Sequence, residues 1–216
     1  MRTLEERKKK AKKISAELKK LFPESKVFLR HKNPWELLVA VILSAQCTDK
    51  KVNEVTERLF KKYRKFGDYL KVKPNEFEKD IRETGFFRMK TRHILGAAKK
   101  INEELKGKVP KTMEELRTLP GVGRKTANIV LWSAFRVVSG IPVDTHVKRL
   151  TRRLELSQYT DPEKIEKDLM EVFSEKEWGT ISYRFIDYGR KFCPARSHNH
   201  KKCPLAKYET NRRKKA

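Results

Sequence analysis

Cysteine is scarce: three residues among 216, an odd number with no close CxxC pair, which excludes a disulfide scaffold. Long apolar runs are missing as well. No stretch approaches the roughly 18 residues of a membrane-spanning helix, and the N-terminus lacks a signal-peptide core, so the chain is expected to stay in the cytoplasm. The alternation of a β-strand is absent, and so is any internal repeat. An all-α fold of about ten helices is therefore expected. Acidic residues run short: 28 Asp+Glu face 53 Lys+Arg, a net charge of +25 at pH 7. Such an excess suits a polyanion, nucleic acid above all, although part of it is also what a solvated helix surface carries in a heat-adapted protein. The hydrophobic content of 38% is enough for a core.

What is present centres on Leu119–Val138, LPGVGRKTANIVLWSAFRVV. Gly121 and Gly123 permit positive φ and leave backbone N–H groups uncovered, a geometry suited to a phosphate. From Arg124 on, Ala127, Ile129, Val130, Leu131, Trp132, Ala134, Phe135, Val137 and Val138 leave no wide polar stripe, which predicts a helix buried at the centre of a domain. Lys125 stands in its first turn, where the helix dipole disfavours a second positive charge and favours the neutral, nucleophilic amine. A plain cationic contact to phosphate remains the alternative at this level.

Read together, LPGVGRKTAN and Val143-Asp144-Thr145-His146-Val147 resemble the helix-hairpin-helix and catalytic aspartate of the endonuclease III family of DNA glycosylases. Leu43-Ser44-Ala45-Gln46-Cys47-Thr48-Asp49 and Thr84-Gly85-Phe86-Phe87 resemble two further segments of that family, so the likeness covers most of the chain. It implies base-excision repair: a glycosylase with AP-lyase activity that removes oxidised pyrimidines through a Schiff base on Lys125. It makes Asp144 the carboxylate that stabilises charge on the sugar, where the residues alone would allow a simple helix N-cap. DNA contacts fall at Gly121, Val122, Gly123 and Arg124, at Lys148 and Arg149, at Gln46, which fills the gap left by an extruded nucleotide, and at Phe86, a second wedge. The implied partner is double-stranded DNA with a damaged base or abasic site, met by a nucleoid-associated monomer. Two rival readings are a monofunctional mismatch glycosylase, which generally lacks a lysine at the Lys125 position, and a non-catalytic helix-hairpin-helix DNA-binding protein.

Helix signals fill in the rest. Residues 4–21 place Leu4, Ala11, Ile14, Leu18 and Leu21 on one face among lysines, and Asn33-Pro34 with Glu36 opens a core helix. Thr48 caps a helix to Tyr63, Pro74 opens one closed at Gly85, Met89–Leu105 forms another, and Thr112 with Glu115 caps the short helix into the hairpin. Asp161-Pro162 starts a helix to Phe173, and a last one ends near Phe192. His146 reads as structural, and Arg152 and Arg153 extend a basic face. By family analogy, residues 25–138 form one helical domain. Residues 1–24 and 139–216 form the second, with DNA between the two.

The C-terminus departs from the family. Many of its members carry C-x6-C-x2-C-x5-C around an iron-sulfur cluster, whereas the four positions here hold Cys193, His200, Cys203 and Glu209. Two thiolates are missing, so no cofactor and no metal is expected. His198 beside the two cysteines leaves zinc as the alternative, with three ligands evident. Without metal, Leu205 and Tyr208 must pack the loop, and the tail Asn211–Lys215 is read as mobile.

Overall fold

The computed structural model describes residues 3–209, so the basic tail at 211–215 lies outside the described residues. Among them it holds eleven α-helices, three short 3-10 turns and no strand. The helices are α1 (Leu4–Leu21), α2 (Pro34–Leu43), α3 (Asp49–Lys62), α4 (Asp68–Lys71), α5 (Pro74–Ile81), α6 (Phe87–Glu104), α7 (Met113–Arg117), α8 (Arg124–Phe135), α9 (Thr145–Arg153), α10 (Pro162–Val172) and α11 (Glu175–Lys191). Two compact units result. One is Val27–Ser139, and the other joins Met1–Lys26 to Gly140–Ala216.

The unit of α2 to α8 is built around α2. Asn33 accepts from the Glu36 N–H at 2.9 Å, and Pro34 takes the first helical position, so the helix starts where those residues direct it. The Glu36 carboxylate accepts from the Lys32 N–H at 2.7 Å, one residue earlier than a capping box would have it. Leu37, Leu38, Val39, Val41, Ile42 and Leu43 are all buried, each contributing roughly 1.5–3 kcal/mol, and α3, α6 and α8 pack around them. At one end Trp35 meets the edges of Phe66 and Tyr69, with ring centroids 5.0 and 5.1 Å away.

The helix α8 differs from the sequence expectation. It stops at Phe135, because Arg136 takes φ +58°, and Val137 beyond it is exposed. Only Ala127, Asn128, Val130 and Leu131 are buried, while Ile129, Trp132, Ala134 and Phe135 are half-buried. The helix lies on α2 and α7 by one face rather than being enclosed all round. Aromatic and branched side chains at its rim cover their own apolar surface with long neighbours; the Arg136 guanidinium, for example, stacks 5.4 Å from the Trp132 ring.

In the other unit, α1 packs on α10 and α11 through Ala11, Ile14 and Leu18, while Leu4 is exposed rather than part of that face. Its buried side also carries Arg7 and Lys10. Arg7 pairs with Asp168 at 3.1 Å and Lys10 with Glu155 at 3.4 Å, so two charges that look like solvated surface in the sequence instead tie α1 to distant segments. Asp161 caps α10 by accepting from the Lys164 N–H at 2.9 Å.

Candidate active site and metal centre

The hairpin between α7 and α8 is held by short-range geometry. Thr112 accepts from the Glu115 N–H at 3.2 Å to start α7, and the Val122 N–H donates to the Leu119 carbonyl at 3.1 Å to close the turn. Gly121 has φ +77°, and a Cβ there would stand 2.7 Å from the His93 ring. Pro120 packs over Gly96, three residues further along α6, where an added Cβ would lie 3.3 Å from the proline ring. The turn therefore rests on α6 at two points, a tight one at Gly96 and one at Gly121 where a Cβ would have to displace the His93 ring. Gly123 is the N-cap of α8 and supplies no side-chain cap, so its first-turn N–H groups can serve an anion. Val122 is buried, Arg124 half-buried and Lys125 exposed beside that N-terminus.

Two exposed residues of the same unit, Gln46 and Phe86, have left-handed backbone, with φ +53° and +48°. Phe86 is 58% exposed, unusual for so large an apolar side chain. Lys106, Arg136 and Glu155 share this backbone just after α6, α8 and α9, so it is the exposure of Phe86, not its φ alone, that marks the segment. Both segments are held by Lys90, which the sequence reading missed. Its side chain is only 1% exposed, and Nζ donates to the Leu43 carbonyl at 2.8 Å and the Thr84 carbonyl at 2.7 Å. Those carbonyls lie just before Gln46 and Phe86. Burial pushes the lysine below its ordinary pKa. The signal was periodicity: Lys90 shares a helical face with Ile94, Ala97 and Ile101.

Asp144, in the other unit, is the N-cap of α9, with Oδ1 accepting from the Val147 N–H at 2.8 Å. The cap fixes one carboxylate oxygen on a half-buried side chain. Next to it, His146 lies against Gly189, where a Cβ would overlap its Nδ1. Along α9, Lys148 is exposed, but Arg149 and Arg153 turn to the C-terminal loop. Arg149 Nη1 lies 3.6 Å from Cys193 Sγ and Arg153 Nη1 3.3 Å from it. Arg149 Nη2 is also 3.3 Å from His146 Nδ1. The basic face read from the sequence is thus partly spent on internal partners.

Against the expectation of no metal, that loop gathers side chains that could hold one. Cys193, His198, His200 and Cys203 bring one ligand atom each to a common point, all within 4.8 Å of one another. His198 Nε2 is 3.3 Å from Cys203 Sγ and 3.3 Å from His200 Nδ1, which is 3.7 Å from Cys193 Sγ. Where the sequence offered three evident ligands, the folded loop offers four. Burial and the neighbouring Cys193 push the Cys203 thiol up to about 11.

Comparison with known proteins matches residues 39–175 to the HhH-GPD superfamily of base excision DNA repair proteins. An endonuclease III of Synechocystis sp. is 48% identical over 206 residues, 95% of this chain and 94% of its own. The chain belongs to the endonuclease III family. A non-covalent endonuclease III–DNA complex superposes with a TM-score of 0.90 at 43% identity, covering 97% of this chain and 96% of that one. A trapped endonuclease III–DNA covalent intermediate gives 0.87 at 44% identity, with 95% and 94% covered.

The four-iron cluster typical of endonuclease III does not fit here. Such a cluster takes one cysteine thiolate per iron, and only Cys193 and Cys203 supply thiolates. Glu209, at the fourth cysteine's position, stays outside the donor group and accepts from His200 Nε2 at 2.7 Å. Four ligand atoms within 4.8 Å of one another also sit too close for ligands spread over four irons.

Proposed function

We propose that Lys125 and Asp144 carry out a Schiff-base glycosylase reaction on oxidised pyrimidines in double-stranded DNA. The reaction class is that of the family: the protein is a bifunctional base-excision repair DNA glycosylase and AP lyase. The observation that carries the residue assignment is the exposed Lys125 amine in the first turn of α8, directly after a glycine hairpin whose N–H groups suit a phosphate.

In this reading the N–H groups of Gly123 and the first turn of α8 hold a backbone phosphate of the duplex and fix the register of the strand, the Val122 N–H being spent on the Leu119 carbonyl. Gln46 and Phe86 enter the stack where the damaged nucleotide leaves it, offsetting lost base stacking. Lys125 Nζ attacks C1′ as the bond from C1′ to the base breaks with its electron pair leaving on the base. Asp144 stabilises the positive charge that develops on the sugar and helps position the amine. Opening of the sugar ring then gives an iminium between C1′ and Nζ. The iminium makes a C2′ proton acidic; its removal expels the 3′-phosphate by cleavage of the C3′–O bond. Hydrolysis of the imine frees the lysine.

A duplex with one thymine glycol tests the reading. The expected products are free base and a strand cut 3′ to the lesion that bears an unsaturated aldehyde. Base release without strand cleavage would make the protein monofunctional, and no base release would reduce it to a DNA-binding protein.

A further inference from the structure

We propose that Cys193, His198, His200 and Cys203 form a structural zinc site that takes the place of the iron-sulfur cluster. The argument rests on spacing, on the tautomer of each histidine and on the outer partners that fix it.

For a tetrahedral zinc ion, bond lengths of about 2.0–2.1 Å to nitrogen and about 2.3 Å to sulfur place neighbouring ligand atoms about 3.4–3.8 Å apart. Three of the six edges of this group are 3.3, 3.3 and 3.7 Å. They run in a chain from Cys203 through His198 and His200 to Cys193. The widest separation in the group, within 4.8 Å, exceeds such an edge by about 1 Å, so the side chains close in by that much when one ion gathers all four.

The tautomers are set from outside the group. His198 Nδ1 lies 2.9 Å from the Arg196 carbonyl, an acceptor only, so it carries the proton and leaves the Nε2 lone pair pointing inward. His200 Nε2 lies 2.7 Å from the Glu209 carboxylate, so it too carries the proton, and Nδ1 keeps its lone pair. Arg153 agrees: its Nη1, which can only donate, approaches His200 Nδ1 at 3.0 Å. Arg153 meets the His200 lone pair from one side and the Cys203 thiol donates to the Phe192 carbonyl at 2.9 Å, which leaves the His198 Nε2 lone pair aimed at His200 and Cys203 from 3.3 Å, the position a metal ion would fill. A histidine held from behind by a carboxylate or carbonyl is how protein zinc ligands are oriented.

Zinc displaces the two thiol protons and forms two bonds to sulfur and two to nitrogen, a set with no net charge. Arg153 gives up the His200 lone pair to the metal while its guanidinium stays beside Cys193 and Glu209, 3.6 Å from the latter. Two thiolates with two imidazoles suit zinc, and ligands gathered on one ion leave no room for a multi-iron core. The ion staples the loop after α11 to the turn at 198–203. From there Leu205 enters the core, with its N–H donating to the buried Tyr188 hydroxyl at 2.9 Å.

Elemental analysis of full-length protein, expressed in zinc-supplemented medium and purified without chelator, should find one zinc per chain, no iron and no acid-labile sulfide. Cobalt(II) added at one equivalent to the stripped protein should give the visible bands of a tetrahedral thiolate site, and His198→Asn should abolish them. Glu209→Gln should keep the stoichiometry while weakening zinc about 10–100-fold, a loss read by competition with a chelating dye. Iron with labile sulfide would overturn the proposal. So would wild-type protein that holds neither zinc nor cobalt after loading, or zinc affinity unmoved by His198→Asn. Because the wild-type measurements stand alone, a variant that fails to fold does not rescue the proposal. None of these readouts depends on glycosylase activity.

Discussion

Replacing Lys90 by methionine keeps the length of the side chain and removes its ammonium. In the native protein that ammonium donates to the Leu43 and Thr84 carbonyls at 2.8 and 2.7 Å from a buried position. Hydrogen bonds from a charged donor are worth about 1.5–3 kcal/mol each, and a carbonyl left without a partner costs about 1–3 kcal/mol. Against this, methionine avoids the penalty of burying a charge, and it is an apolar residue of nearly the same volume. The balance is a destabilisation of about 2–4 kcal/mol. Urea unfolding should show it as a lower midpoint at unchanged slope. Burial lowers the native-state pKa, so just below the ordinary lysine value the unfolded chain binds more protons. Wild-type stability therefore rises with pH there, and its gap to the variant widens. Because the two carbonyls precede Gln46 and Phe86, strand cleavage should also slow at temperatures where the variant is still folded. A variant within about 0.5 kcal/mol of wild type, with the gap flat in pH, would refute the reasoning.

Asp144→Asn should lower the cleavage rate by about 10²-fold or more through lost charge stabilisation. Asparagine caps helices as well as aspartate, so the Val147 contact and the melting temperature should be nearly unchanged; a rate within a few-fold of wild type would leave Asp144 as a cap alone. Gly121→Ala should destabilise by at least about 1–2 kcal/mol, since its φ of +77° is costly for alanine and a Cβ would press on His93; thermal unfolding reads the loss. Binding to undamaged duplex should weaken with salt, log K falling by about 0.9 per log unit of salt for each phosphate contacted, and a flat response would mean the +25 charge is spread over faces that DNA never meets.

Local chemistry made much of the fold legible. Asn33-Pro34, Thr48, Thr112 and Asp161 start helices where capping rules put them, because a cap is decided within four residues. Arg7 and Lys10 were not legible, since their partners Asp168 and Glu155 are about 150 residues away and only the folded chain makes the ion pairs. The extent of α8 was misjudged for a related reason: composition shows what a helix could bury, and the number of neighbours that reach it decides what it does bury. At the candidate metal-binding loop, family spacing pointed to Glu209 as the fourth position. The loop instead folds His198 inward and sets Glu209 behind His200, a rearrangement that spacing along the chain does not encode.

The central claim, that Lys125 is the nucleophile, is tested most directly by borohydride reduction on an abasic duplex. Wild-type protein should be captured as a covalent complex that survives denaturing gel electrophoresis. Lys125→Gln, which keeps the side-chain reach but not the amine, should bind the same duplex and give no such complex. Trapping of Lys125→Gln at wild-type yield would contradict the account and assign the Schiff base to another amine.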